Sequence, residues 1–144
     1  MTVSIILAAK GREVVSIEPN ATLAAAVALL AEHRIGAVLI LGAGQRIVGI
    51  LSERDIVRAL AERGAAALNE PVSGTMTRKV TTCAENETVS SIMERMTAGK
   101  FRHVPVVDHH GQLAGMVSIG DVVKRRLSEM ERDSAAMHDY ILSA

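Results

Sequence analysis

Gly49-Ile50-Leu51-Ser52-Glu53-Arg54-Asp55 recurs as Gly115-Met116-Val117-Ser118-Ile119-Gly120-Asp121, and this pair of stretches decides how the chain folds. In each copy an apolar run ends in a serine, an aspartate follows three positions later, and an amphipathic stretch begins. That order of residue types reads as a β-strand running directly into an α-helix. The serine stands where an N-cap belongs and the aspartate at the third helical position, each side chain accepting from a backbone N–H that the first turn leaves unpaired. A carboxylate at a helix start beside glycine has a second use. It can accept hydrogen bonds from the vicinal hydroxyls of a ribose, while the helix N-terminus favours phosphate nearby. One Ser-x-x-Asp reads first as a cap; two copies in matching frames bring the ligand reading forward.

The copies extend well beyond the motif. Thr22 and Thr88, Val38 and Val104, Gly49 and Gly115, and Asp55 and Asp121 all stand 66 positions apart, with no gap needed from Val14 to Arg58. Tandem copies of this kind bury faces against each other. Upstream the register changes: Val3, Leu7 and Lys10 align with Val72, Met76 and Lys79 at an offset of 69. The first copy therefore carries three extra residues, read as Gly11-Arg12-Glu13 in its opening turn. The boundaries read along the chain are 1–66 for the first repeat with its N-terminal segment, 67–128 for the second repeat, and 129–144 for a C-terminal helical tail.

Inside each copy the periodicity is informative. Val14-Val15-Ser16-Ile17 is a short β-type run stopped by Pro19. Leu23, Ala26, Val27 and Leu30 then fall at helical spacing, as do Val89, Ile92, Met93 and Met96. Ala37 to Leu41 and Arg46 to Leu51 read as strands joined through Gly42-Ala43-Gly44-Gln45; His103 to Val107 and Leu113 to Val117 repeat this around Asp108-His109-His110-Gly111. Each repeat is thus expected to run strand, helix, strand, strand, helix. Gly64 to Lys79, with Pro71 and Gly74, suits a connection between the repeats. After Asp121 the pattern stays helical, and Val123, Leu127, Met130, Ser134, Met137 and Ile141 alternate four and three apart, an a/d seam with one polar step. Two readings stand for that seam: a helix packing back on its own domain, or an intermolecular contact.

Composition removes several classes of function. The 144 residues suffice to bury about 68–70% of the unfolded surface without staples. Cys83 is the single cysteine, so an intrachain disulfide framework and a zinc cluster are excluded, and a reducing, cytoplasmic setting fits. Lys and Arg number 16, as do Asp and Glu, and the aromatics are Phe101 and Tyr140, which leaves neither a basic face nor a row of stacking rings for nucleic acid. The apolar stretch Val3 to Ala9 has its lysine after it, against a secretory signal, and no run is long enough to span a membrane. A serine hydrolase could recruit Ser52 or Ser118 with His33, His103 or Asp55, but there is no Gly-x-Ser-x-Gly elbow and both serines fall where caps belong. Neighbouring His109 and His110 on a turn point apart and make a poor metal site. No enzyme is read from these residues.

The two Gly-x-x-Ser-x-x-Asp motifs, the run His103-Val104-Pro105-Val106-Val107-Asp108 and the helices opening at Thr22 and Thr88 together resemble a tandem pair of cystathionine-β-synthase (CBS) domains, a Bateman module. The resemblance covers nearly the whole chain. It implies an α+β (mixed α/β) fold of two β-α-β-β-α repeats about a pseudo-twofold axis, sheets facing each other with helices outside, plus a C-terminal helical extension. It also implies two clefts, each a possible adenosyl-ligand site, in a regulator that binds AMP, ADP, ATP or NAD, senses energy or redox state, and needs no metal for its fold. By the same resemblance Asp121 and Asp55 match aspartates that hold ribose, and Ser118 and Ser52 match hydroxyl residues beside ribose or phosphate. Val80, Thr81, Thr82, His103 and Pro105 match the segments around adenine in the second site; Val14, Val15, Ser16, Ala37 and Leu39 are their equivalents in the first.

The copies differ in ways that favour one site. Arg54 stands where the second copy has Gly120, and Leu39 where it has Pro105, so the Asp121 site is expected to take the adenosine. Arg54, Lys100, Arg102 and Lys124 are the candidate phosphate partners. Two alternatives stay open: an S-adenosylmethionine sensor, and a ligand-free structural or dimerisation module. A homodimer is expected through the helices carrying Ala26, Leu30, Met93 and Met96, with an unidentified protein target bound in trans.

Overall fold

The computed structural model describes residues 1–143. Helix α1 (Val3–Lys10) comes first, followed by β1 (Ser16–Ile17), α2 (Leu23–His33), β2 (Ala37–Leu41), β3 (Ile47–Ser52) and α3 (Glu53–Arg63). The second repeat supplies β4 (Cys83–Ala84), α4 (Val89–Gly99), β5 (His103–Val107), β6 (Leu113–Ser118) and α5 (Ile119–Ser143). The result is an α+β fold with two three-stranded sheets, ordered β1-β2-β3 and β4-β5-β6. In each the first strand runs parallel to the central one, Ser16 opposite Leu39 and Cys83 opposite Val106. Each repeat thus has the expected strand-helix-strand-strand-helix order.

Local chemistry explains why the helices start where they do. Thr22 Oγ1 accepts from Ala25 N–H at 3.1 Å and Thr88 Oγ1 from Ser91 N–H at 3.1 Å, so the two threonines 66 apart are both N-caps. At the other end Arg34 and Lys100 adopt left-handed backbone, with φ of 54° and 58°, and stop α2 and α4.

The chain forms two compact units, and they exchange N-terminal segments. One comprises Glu13–Thr81 with residues 110–113; the other joins Met1–Arg12 to Thr82–His109 and the chain from Ala114. The boundaries read along the sequence, at 66/67 and 128/129, run contiguously, whereas residues 1–12 fold with the second repeat and the connection from Gly64 folds with the first. The cores give the reason. Leu23, Ala26, Leu30, Val38, Ile40, Leu51 and Ile56 are buried together with Val72 and Met76. Their counterparts Val89, Ile92, Met96, Val104, Val106, Val117 and Val122 are buried together with Val3 and Leu7. Val3 and Leu7 do for the second core what Val72 and Met76 do for the first, each fully buried side chain contributing roughly 1.5–3 kcal/mol. Backbone bonds tie α1 in place, Val3 N–H to Glu87 O at 2.9 Å and Ser4 N–H to Glu85 O at 3.0 Å.

This docking accounts for the motif's glycines. A Cβ on Gly115 would sit 2.7 Å from Leu7 Cδ2, and one on Gly49 2.5 Å from Met76 Sδ. The strand entering each Ser-x-x-Asp turn must be bare for these segments to lie over it.

One expectation is corrected. Ala26, Leu30 and Met96 are buried in the cores of their own units, and Met93 is half-buried, so they are not a free stripe awaiting a second copy. The large apolar residues of α2 and α3 that do reach the surface are Val27 and Val57; with Leu30, Ala31, Ile35, Glu53 and Ile56 they line an apolar groove of about 350 Å³. Helical periodicity identified an apolar face, and that face went inward. At the C-terminus, α5 is one continuous helix, and from Met130 to Ser143 every residue is exposed. The reading of this tail as a helix folded back on its own domain does not hold within the chain.

Candidate functional site

The Ser-x-x-Asp turns are built as caps in both repeats. Ser52 N–H donates to Asp55 Oδ2 at 3.0 Å while Asp55 N–H donates to Ser52 Oγ at 3.3 Å, a reciprocal capping box. Ser118 N–H donates to Asp121 Oδ2 at 2.8 Å and Asp121 N–H to Ser118 Oγ at 3.3 Å. The turn is anchored to the sheet in the same way each time: Glu53 N–H donates to Gly36 O at 3.0 Å and Ile119 N–H to Arg102 O at 2.8 Å.

Beyond the cap the two aspartates diverge. Lys10, the last residue of α1, places Nζ 2.7 Å from Asp121 Oδ2 and 3.1 Å from Met116 O. Burial pushes the Asp121 carboxyl upward, but the Lys10 ammonium with the Ser118 N–H and hydroxyl outweighs it and holds the group below the usual carboxylate range. Asp121 is therefore ionised at neutral pH. The bonds from Lys10 Nζ and the Ser118 N–H both fall on Oδ2. Asp55 instead meets the Thr77 hydroxyl at 3.4 Å from both carboxylate oxygens, a weak contact.

Arg102 is the expected residue tied directly to the start of the Asp121 helix. Arg102 accepts from the first residue of α5, His103 and Pro105 lie on the central strand β5, and the register that pairs Cys83 with Val106 brings Thr82 to the level of Pro105. Thr82 O accepts from Arg95 Nη1 at 3.1 Å, and Arg95 also pairs with Glu87. Pro105 is buried and has no N–H, where its counterpart Leu39 donates to Val15 O at 3.2 Å. Val80 and Thr81 are half-buried on the segment leading into Thr82. Arg102 and Lys124 are exposed, Lys124 on the first turns of α5. In the first repeat Ala37 is buried opposite Ser52, Ser16 is exposed opposite Leu39, and Arg54 and, in the other unit, Lys100 are exposed.

Lys10 is the residue sequence reasoning missed as a member of this set. Its signal was present: Lys10 and Lys79 occupy matching positions in the offset-69 alignment. Cys83 is inert beside the site, buried, its thiol pushed up to about 11 by desolvation and by Glu87 against the opposing pull of Arg95. Among the described residues no three His, Cys, Asp or Glu side chains are grouped to hold a metal, and no helix is long and apolar enough to cross a membrane.

Residues 10–62 and 72–128 each match the family model of the CBS domain. The chain belongs to the CBS-domain family. A CBS-domain containing protein from Agrobacterium tumefaciens is 47% identical, with a TM-score of 0.84 over 87% of this chain and 92% of that one. A CBS domain protein of Pyrobaculum aerophilum, complexed with AMP, is 32% identical with a TM-score of 0.74 over 84% and 89%. The CBS domain pair of protein MJ0100, in complex with 5′-methylthioadenosine and S-adenosyl-L-methionine, is 26% identical with a TM-score of 0.79 over 90% and 98%. Two curated relatives at 35% and 33% identity are longer, and the chain spans 66% and 58% of their lengths.

Proposed function

We propose that this CBS-domain protein is a non-catalytic regulator that binds an adenine nucleotide, AMP, ADP, ATP or NAD, with the Asp121 carboxylate holding the ribose hydroxyls. The observation that carries the reading is the state of Asp121. It is ionised at a helix start, and the bonds from the Ser118 N–H and from Lys10 Nζ both fall on Oδ2 rather than on Oδ1. A diol can be accepted there without dismantling the cap. Thr82, His103 and Pro105, with Val80 and Thr81, are read as the adenine surround, and Arg102 and Lys124 as phosphate partners. The first repeat offers the parallel set Ser52, Asp55, Arg54, Ser16 and Ala37 as a second site. The AMP complex of the Pyrobaculum relative supports this choice of ligand class.

S-adenosylmethionine is the second reading, favoured by the complex of the MJ0100 pair. The Lys10 ammonium beside Asp121 weighs against it here, because an ammonium attracts a phosphate and repels a sulfonium. Both motif serines serve as caps, which supports a regulatory rather than a hydrolytic role. The protein is read as a twofold homodimer acting on a protein target in trans, in a reducing compartment such as the cytoplasm where the buried Cys83 thiol persists. Calorimetry of dialysed protein against AMP, ATP, NAD and S-adenosylmethionine tests the reading. Binding of the phosphorylated ligands with S-adenosylmethionine weaker is expected; no heat with any of the four would leave a ligand-free dimerisation module.

A further inference from the structure

The outer half of α5 presents an apolar seam that none of the described residues covers. Leu127, Met130, Met137 and Ile141 are 55%, 58%, 60% and 62% exposed. With Val123 they fall at successive d and a positions of a heptad: Leu127, Ser134 and Ile141 at a, Val123, Met130 and Met137 at d. The flanking positions decide what can lie against it. Arg126, Asp133 and Tyr140 occupy g, and Lys124, Glu131 and His138 occupy e.

We propose that this seam is where a second copy of the chain docks, as a parallel, in-register two-helix coiled coil formed by α5 of each protomer. In that arrangement each g residue meets the partner helix's e position five residues on, which sets Arg126 against Glu131 and Asp133 against His138. Arg126 already bonds Glu129 of its own chain at 2.7 Å, and the pairing makes it the centre of a small network. An antiparallel pair that keeps a against d can also match charges, Arg126 to Asp133 and Lys124 to Glu131, so charge fits a second copy in either direction. Ser134 decides between them: in parallel register it faces its own equivalent, whereas any antiparallel pairing of a against d sets its hydroxyl against Val123, Met130 or Met137.

This deepens the homodimer reading above and rests on it, so the experiment separates the two. Sedimentation equilibrium of the full chain is run on the wild type and on Met137→Glu, a change at an exposed position that leaves both cores untouched. A wild-type dimer weakened about tenfold or more by Met137→Glu is expected. Interchain oxidation is followed in parallel for Ser134→Cys at the seam and Arg132→Cys on the outer face, with wild type, whose Cys83 is buried, as the control. Cross-linking of Ser134→Cys but not of Arg132→Cys supports the parallel register. A monomeric wild type overturns both the homodimer and the seam. A dimer indifferent to Met137→Glu, or one that cross-links equally at both cysteines, overturns the seam alone.

Discussion

Replacing Lys10 with Met removes the ammonium beside Asp121 and keeps most of the stem that reaches it. The ion pair spans 2.7 Å with Lys10 38% and Asp121 24% exposed, so solvent screens it. Its contribution is held to about 0.2–1 kcal/mol. For a chain of this length that is a fall in Tm of up to about 4 °C at neutral pH. The pH dependence has a definite sign. Burial acts to raise the Asp121 carboxyl, yet Lys10 and Ser118 win and hold it below the usual carboxylate range. A depressed carboxylate contributes stability that is fully present above the unfolded value and is lost as pH falls through the folded one. The gap between wild type and Lys10→Met, measured by urea or thermal unfolding, is therefore constant from pH 7 to about 5 and closes as pH falls below the unfolded aspartate value of about 3.9 and on through the lower folded one. Added salt should narrow it as well. A gap of the same size at pH 3 and pH 7 would refute the electrostatic account and leave Lys10 acting through the packing of its stem.

Two other perturbations probe the fold. Leu7→Ala should destabilise by about 2–5 kcal/mol despite lying near the N-terminus, because Leu7 fills the second repeat's core; a loss under about 0.5 kcal/mol in chemical denaturation would show that α1 is not docked there. Cys83 should react slowly with a disulfide reagent at pH 8 in the folded state and stoichiometrically in denaturant, since its thiol is buried and pushed up to about 11; prompt native reaction would contradict that placement.

Much of this architecture is local, and local features are legible in a sequence. The caps at Thr22, Thr88, Ser52 and Ser118 are set by residues three apart, and each is found where spacing put it. The constant offset of 66 carried the element order from one repeat to the other. What escaped is non-local. Val3 and Leu7 are apolar and aligned with Val72 and Met76, yet their destination, the core of the other repeat, depends on a backbone path that no window of sequence contains. The same limit hid Lys10, whose partner Asp121 is 111 positions away. Periodicity also marked Ala26, Leu30 and Met96 as an apolar face without saying whether that face belongs to a core or to an interface; burial decided for the core. On α5 the periodicity was equally clear and the outcome opposite, because past Met130 the helix has left its own unit's core behind.

The central claim is that Asp121 holds the ribose of an adenine nucleotide, and titration of AMP into wild type, Asp121→Ala and Asp55→Ala by calorimetry tests it most directly. Loss of a charge-assisted acceptor worth about 1.5–3 kcal/mol predicts affinity for AMP about ten- to a hundredfold weaker in Asp121→Ala, with a smaller change in Asp55→Ala. Melting curves of the same proteins account separately for the lost cap, about 0.5–2 kcal/mol of stability. An Asp121→Ala protein that is less stable but binds AMP as the wild type does would contradict the claim and leave Asp121 a helix cap alone.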